Sequence, residues 1–262
     1  MKQYIVDAFT DKIFHGNQAA VCILDKWISD SLMQNIAKEN NFSETAFAVK
    51  EENLYHLRWF TPEAEIDFCG HATLATSFVL FNFYEKDAKE ITFKTQVGKL
   101  TVEKDGDLYR MNFPAYKCKK IEVTEKMEEA LGLKPQEAYI DRDLLLVLNN
   151  ADEVKNLSPN QAKLKELEGL CIVVTAASDT QSYDCVSRVF CPELGLMEDP
   201  VTGSSHCMIV PYWCNRLKKE KLTCYQASQR SGVLYAERKN DRIIISGKAV
   251  LFSKEEIFVE EN

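Results

Sequence analysis

Hydrophobic residues come along this chain as short runs rich in β-branched and aromatic side chains, separated by turn residues. Two longer apolar stretches interrupt them. The short runs predict strands at 4–9, 20–24, 42–49, 54–60, 91–93, 99–102, 108–113, 143–148, 170–175, 185–190, 223–227, 233–237, 242–246 and 249–258. Helical periodicity predicts a helix over 31–39 capped by Asp30, with Asn40-Asn41 as its stop. A second runs from the Thr124 cap to Gly132, and a third starts at Ser158-Pro159. The long apolar stretches, 74–83 and 207–213, read as buried helices. Strands and helices mixed in this order predict an α+β protein.

Each long stretch follows a polar loop that turns on glycine. The first loop is Asp67-Phe68-Cys69-Gly70-His71-Ala72-Thr73; the second is Glu198-Asp199-Pro200-Val201-Thr202-Gly203-Ser204-Ser205-His206. A helix that opens this way leaves backbone N–H groups unpaired at its start, which suits a small anion. The halves share more than these loops. Arg58-x-Phe60-x-Pro62 precedes Gly70, and Arg188-x-Phe190-x-Pro192 precedes Gly203. Gly98-Lys99-Leu100 and Gly232-Val233-Leu234 then open similar segments. The shared order predicts a duplicated unit, with the two helix N-termini facing one another across a cleft. The Pro-led, Lys-rich segment 114–120 is the expected linker, dividing the chain into 1–115 and 116–262, with the last strand able to pack back on the first domain.

Composition narrows the partners. At 262 residues, with 45% apolar and 27% charged residues, the chain can bury a full core without staples. A net charge of −8 with no basic cluster argues against nucleic acid and membrane surfaces. No apolar run is long enough to span a bilayer, and the polar N-terminus reads as a first strand rather than a signal peptide. A cytoplasmic protein is expected. Nine cysteines without a Cys-x-x-Cys pair, and only four histidines, make a structural zinc site unexpected and reduced, buried thiols the ordinary reading for most.

Seven positions bear on candidate chemistry. Glu44 heads an otherwise apolar strand. It reads either as a solvated strand-end carboxylate or as one held by apolar walls, able to exchange protons near pH 7. Asp199 is either a turn residue before Pro200 or a proton-handling group near the second helix. His71 is either structural or an imidazole placed where an anion sits. Ser204 either holds a substrate carboxylate or caps its helix. His206, inside the helix, reads as structural. Cys69 and Thr202 occupy equivalent places, each before a loop glycine. A threonine hydroxyl is too weak an acid to serve as a second thiol, which defeats a two-thiol racemase mechanism.

Taken together, these motifs resemble a known family. Asp7-Ala8-Phe9-Thr10, Gly16-Asn17-Gln18-Ala19-Ala20-Val21, Ser43-Glu44-Thr45-Ala46-Phe47, Arg58-Trp59-Phe60-Thr61-Pro62, Cys69-Gly70-His71-Ala72-Thr73, Glu198 to Ser204 and Ser246-Gly247-Lys248-Ala249 are similar to the PhzF-like, phenazine-biosynthesis isomerase-like proteins. Gln18 replaces a common Pro and Ser205 a common Ala. The resemblance implies a diaminopimelate-epimerase-like fold: two pseudo-symmetric domains, each a β-barrel-like sheet around a central helix, with the site between them. It implies a cofactor-independent isomerase, commonly a homodimer, with Glu44 as proton shuttle and His71, Asp199 and Ser204 completing the catalytic set. Ser43, Gly70 and Gly203 are expected to bind a small carboxylate substrate. An epimerase using Glu44 and Asp199, or a ligand-binding protein that kept the fold, is the alternative.

Overall fold

Strand residues 45–49 are buried without alternation, the pattern of a strand covered on both faces. They belong to a chain that, in a computed structural model, is described over residues 1–194 and 196–259. The first half runs β1 (Lys2–Ala8), β2 (Asn17–Leu24), α1 (Asp30–Asn40), β3 (Glu44–Glu51), β4 (Leu54–Phe60), β5 (Glu65–Ile66), α2 (Gly70–Val79), β6 (Glu90–Thr95), β7 (Gly98–Asp105) and β8 (Leu108–Pro114). The second runs β9 (Lys119–Ile121), α3 (Glu125–Leu131), β10 (Glu137–Ile140), β11 (Leu144–Val147), α4 (Ala151–Lys155), α5 (Gln161–Leu164), β12 (Ile172–Ala177), β13 (Cys185–Cys191), β14 (Leu196–Asp199), α6 (His206–Leu217), β15 (Lys221–Gln226), β16 (Gly232–Lys239), β17 (Arg242–Gly247) and β18 (Ala249–Glu256).

Backbone contacts divide the chain into one unit of residues 1–112 with 246–262 and another of 113–245. The last strand, β18, pairs antiparallel with β1, Ala8 opposite Ala249.

Both units repeat one strand plan. In the first, β1–β2 is antiparallel, β2–β3 parallel, β3–β4 and β4–β5 antiparallel, and β4–β6 parallel. In the second, β10–β11, β11–β12, β12–β13, β13–β14 and β13–β15 repeat those senses in that order. A helix joins the same two strands in each: α2 between β5 and β6, α6 between β14 and β15.

The central helices explain the long apolar stretches. Every residue of α2 except Phe78 is buried, and it packs against β1, β2 and β3. Its hydroxyls need partners there, so Thr73, Thr76 and Ser77 donate to the carbonyls one turn back, at 2.5, 2.7 and 2.8 Å. A π-helical turn, Leu80–Tyr84, continues it. In α6 the Trp213 indole donates to Thr175 Oγ1 at 2.9 Å, so a large ring is buried with its polar edge satisfied.

Several element boundaries move from their sequence positions. Ser29, not Asp30, caps α1 through Leu32 N–H, because its hydroxyl reaches that donor from extended backbone. Asn160, not Ser158, caps α5, which starts at Gln161. The helix behind Gly203 begins at His206, after a tight turn in which His206 N–H bonds Gly203 O. Cys171 and Cys191 are joined by a disulfide, an exception to the expectation of reduced thiols; the other seven are free.

Candidate active site

Glu44 is the first residue of β3 and lies beside β2, with Ala19 as its register partner. The residue is 8% exposed, so the solvated reading does not hold. His71, in the first turn of α2, meets it: Nε2 lies 2.9 Å from Glu44 Oε2. The contact is short but poorly aligned, and neither atom makes a well-directed hydrogen bond within the chain. On the other side of the ring, Asn17 Nδ2 lies 3.2 Å and Cys69 Sγ 3.5 Å from Nδ1.

Gly16 sets Asn17 in place. Its φ of +67° is left-handed, and a Cβ there would lie 2.2 Å from the Ala8 carbonyl oxygen. In the sequence Asn17 stands out only as a motif residue in the Gly16-Asn17 turn between the first two strands. Its place after a turn glycine was the available signal; its distance to His71 was not.

The charges follow from these contacts. Burial works against an imidazolium at His71, yet Cys69 and Glu44 beside it outweigh burial, and its pKa stands well above the ordinary 6.5. The Cys69 thiol is itself pushed up to about 11, first by burial and then by the Glu44 charge. It is therefore a neutral thiol at pH 7. Cys69 occupies the cap position of α2 without any side-chain capping bond. The backbone N–H groups of that helix's first turn are of the kind that suits a small anion.

The second unit presents a different arrangement at matching positions. Asp199, 9% exposed, closes β14; its Oδ2 accepts the Thr202 hydroxyl at 2.6 Å. Gln226 ties that loop together. Its Oε1 accepts from Thr202 N–H at 2.9 Å, and its Nε2 donates to Asp199 O at 2.8 Å. Ser204 is half-buried and accepts from the Arg142 guanidinium at 3.0 Å. Arg142 also grips the fully buried Asp143 at 2.8 and 2.6 Å, and Ser205 donates to Asp143 at 2.7 Å. Ser205 therefore does not cap α6. Gln226, Arg142 and Asp143 escaped sequence reasoning, because nothing in their local spacing marks them.

His206 fits its structural reading. Its Nδ1–H donates to Thr202 O at 2.8 Å, and burial drives its pKa down to about 4. Ser43 is half-buried just before β3; Gly70 and Gly203 are buried.

The repeat can be aligned residue by residue. Arg58 clamps Glu65 at 2.7 and 2.7 Å and stacks over Phe60; Arg188 clamps Glu198 at 2.7 and 2.9 Å and stacks over Phe190. Glu65 and Glu198 each stand five residues ahead of the loop glycine. The extra length of the second copy lies before its Glu, where the 3-10 turn Pro192–Leu194 sits. His71 then corresponds to Ser204, Cys69 to Thr202 and Ile66 to Asp199. Strand register puts Thr45 opposite Phe60 and Ile172 opposite Phe190, so Glu44 corresponds to Cys171. Each copy carries its carboxylate at a position where the other has none.

A cavity of about 520 Å³ lined by Tyr116, Tyr139, Tyr212 and Arg216 contains none of these residues. A larger cavity of about 590 Å³ borders the second loop at Glu198 and Pro200.

Residues 6–255 match the family model described as phenazine biosynthesis-like protein, PhzC-PhzF. The chain belongs to this family. An uncharacterised isomerase of Pseudomonas aeruginosa is 44% identical over 247 residues, which span 94% of this chain and 95% of that one. The crystal structure of a PhzF-family phenazine biosynthesis protein from Enterococcus faecalis superposes with a TM-score of 0.96 at 49% identity, covering 98% of this chain and 99% of the other. A predicted epimerase of P. aeruginosa, 19% identical, shares the fold alone, with a TM-score of 0.75 over 99% of both chains. This PhzF-like protein is an isomerase with the α+β, diaminopimelate-epimerase-like fold. No helix among its described residues is long and apolar enough to cross a membrane.

Proposed function

We propose that this PhzF-like protein moves a proton within a small, conjugated carboxylic acid without a cofactor, and that Glu44 carries the proton. The observation that supports this most is the buried Glu44–His71 pair at the uncapped start of α2. An anionic substrate oxygen would be met there by helix N–H groups and by the His71 imidazolium, while Glu44 stands beside it as a base. Removing a proton next to a conjugated system builds negative charge, which a fixed positive group stabilises at the moment it forms. The same carboxyl group then returns the proton elsewhere on the same face. Only one shuttle is needed, and Cys171 at the matching place in the second unit offers no second carboxylate. Asp199 and Ser204 take ligand-orienting roles in this reading.

The test is turnover of candidate unsaturated amino or hydroxy acids in deuterium oxide. A moved double bond supports the proposal, with the migrating hydrogen either retained or replaced by deuterium that exchanged onto Glu44 before its return. Exchange at one stereocentre with inversion would instead favour an epimerase using Glu44 and Asp199. Binding of small carboxylates with neither a moved double bond nor exchange at any carbon would mark a ligand-binding protein.

A further inference from the structure

Glu44, Cys69 and His71 do more than sit near one another. A carboxylate oxygen, the thiol sulfur and an imidazole nitrogen all lie within 4.8 Å of each other, and all three residues are buried. Glu44 Oε2 and His71 Nε2 are both buried without an aligned hydrogen-bond partner. Such atoms have coordinating capacity to spare. We infer that these three side chains form a binding site for one thiophilic divalent ion, of the zinc and cadmium kind, and that the ion shuts the catalytic site down.

The donor set selects the metal. Sulfur, nitrogen and oxygen together suit zinc-like ions, whereas magnesium and calcium require oxygen donors. Zinc bonds of about 2.0–2.3 Å place neighbouring donors of a tetrahedron about 3.3–3.8 Å apart. Side-chain rotations of about 1 Å close the present spacing to that. The ligands stand on β3 and the first turn of α2, so little backbone has to move. Charge also balances. Binding expels the thiol proton and the imidazolium proton to the buffer, leaving thiolate and carboxylate to neutralise the dication. A neutral cluster is far cheaper to bury than a lone charge. Three protein ligands leave a fourth position for water or a substrate oxygen.

The ion would hold Glu44 and His71 in place of substrate, hence inhibition rather than activation. That the three side chains bind an ion is read from their geometry alone; that the ion inhibits rests on the proposed proton transfer, and turnover with and without one equivalent of zinc tests it.

The test uses the full chain, stripped with a chelator and desalted, then titrated calorimetrically with Zn²⁺, Cd²⁺ and Mg²⁺. We expect one equivalent of zinc or cadmium, a cadmium–thiolate charge-transfer band in the ultraviolet, and no heat from magnesium. Replacing Cys69 by Ala should remove the band and weaken binding at least ~10-fold, the lower bound seen when even supporting groups are lost. Replacing the half-buried Cys118 by Ala should leave both unchanged. If Cys69→Ala does not fold, His71→Gln serves in its place. Binding equally tight in either folded variant, no bound equivalent in the parent chain, or loss of the band in Cys118→Ala would each overturn the inference. If the metal binds while Glu44→Gln retains full turnover, the metal site stands and the proton-transfer reading falls.

Discussion

His71 Nε2 lies 2.9 Å from Glu44 Oε2, and both side chains are almost entirely buried. One residue comes from the head of a strand, the other from the start of the helix that strand packs against. The pair puts a carboxylate and an imidazole at the same spot, the arrangement the proposed proton transfer uses. Replacing Glu44 by Gln should lower kcat about 10²–10⁴-fold, the range that general acid–base transfer contributes. The Kd for a non-reacting small carboxylate should change little. Steady-state kinetics with calorimetric binding separates the two; unchanged turnover ends the assignment.

The two buried histidines should titrate in opposite directions. His71 is raised above its unfolded value, so its contribution to stability is complete below about pH 6.5 and is lost as pH rises through its folded pKa. His206 is lowered to about 4, so its contribution is present above about pH 6.5 and is lost as pH falls toward 4, on the order of 3 kcal/mol. Nuclear magnetic resonance titration of the imidazoles should show His206 neutral at pH 5.5 and His71 still protonated at pH 7.5. In Glu44→Gln the His71 midpoint should fall.

Arg142 should matter for folding as well as for Ser204. Asp143 is fully buried, and the guanidinium is its cationic partner. Replacing Arg142 by Met strands that carboxylate. Losing one partner of a buried pair costs about 3–5 kcal/mol, and with Arg142 a quarter exposed we expect about 3. Denaturant melts measure it. The double variant Arg142→Met with Asp143→Asn should recover part of the loss, since the stranded charge is then gone.

Gly16→Ala should destabilise the chain by about 2 kcal/mol or more, because the backbone is left-handed there and Ala8 O blocks the new methyl. Displacing Asn17 from His71 should also shift the His71 titration. A stability loss without that shift would separate Asn17 from the proton-handling group.

Much of the fold was legible in local pattern. Strand runs such as 54–60, the Thr124 cap and the Gly132 stop depend on side-chain chemistry within a few residues. The repeat was legible too, since Arg58 and Arg188 recur with their aromatic neighbours. Hydrogen-bonded caps were less so: Ser29 and Asp30 are both good capping residues, and only the chain's path chose between them.

By itself, then, the sequence determined the mixed strand and helix order and the two glycine loops, because periodicity and turn chemistry act over short distances, and it offered Glu44, His71, Asp199 and Ser204 as candidates. Tertiary structure alone decided that Glu44 is buried against His71, that Asn17 and Cys69 flank the same ring, that Gln226 and Arg142 organise the second loop, and that Cys171 stands in the place of Glu44. Those relationships join residues up to 62 positions apart. They arise from strand register and helix packing, which no local stretch of the chain encodes.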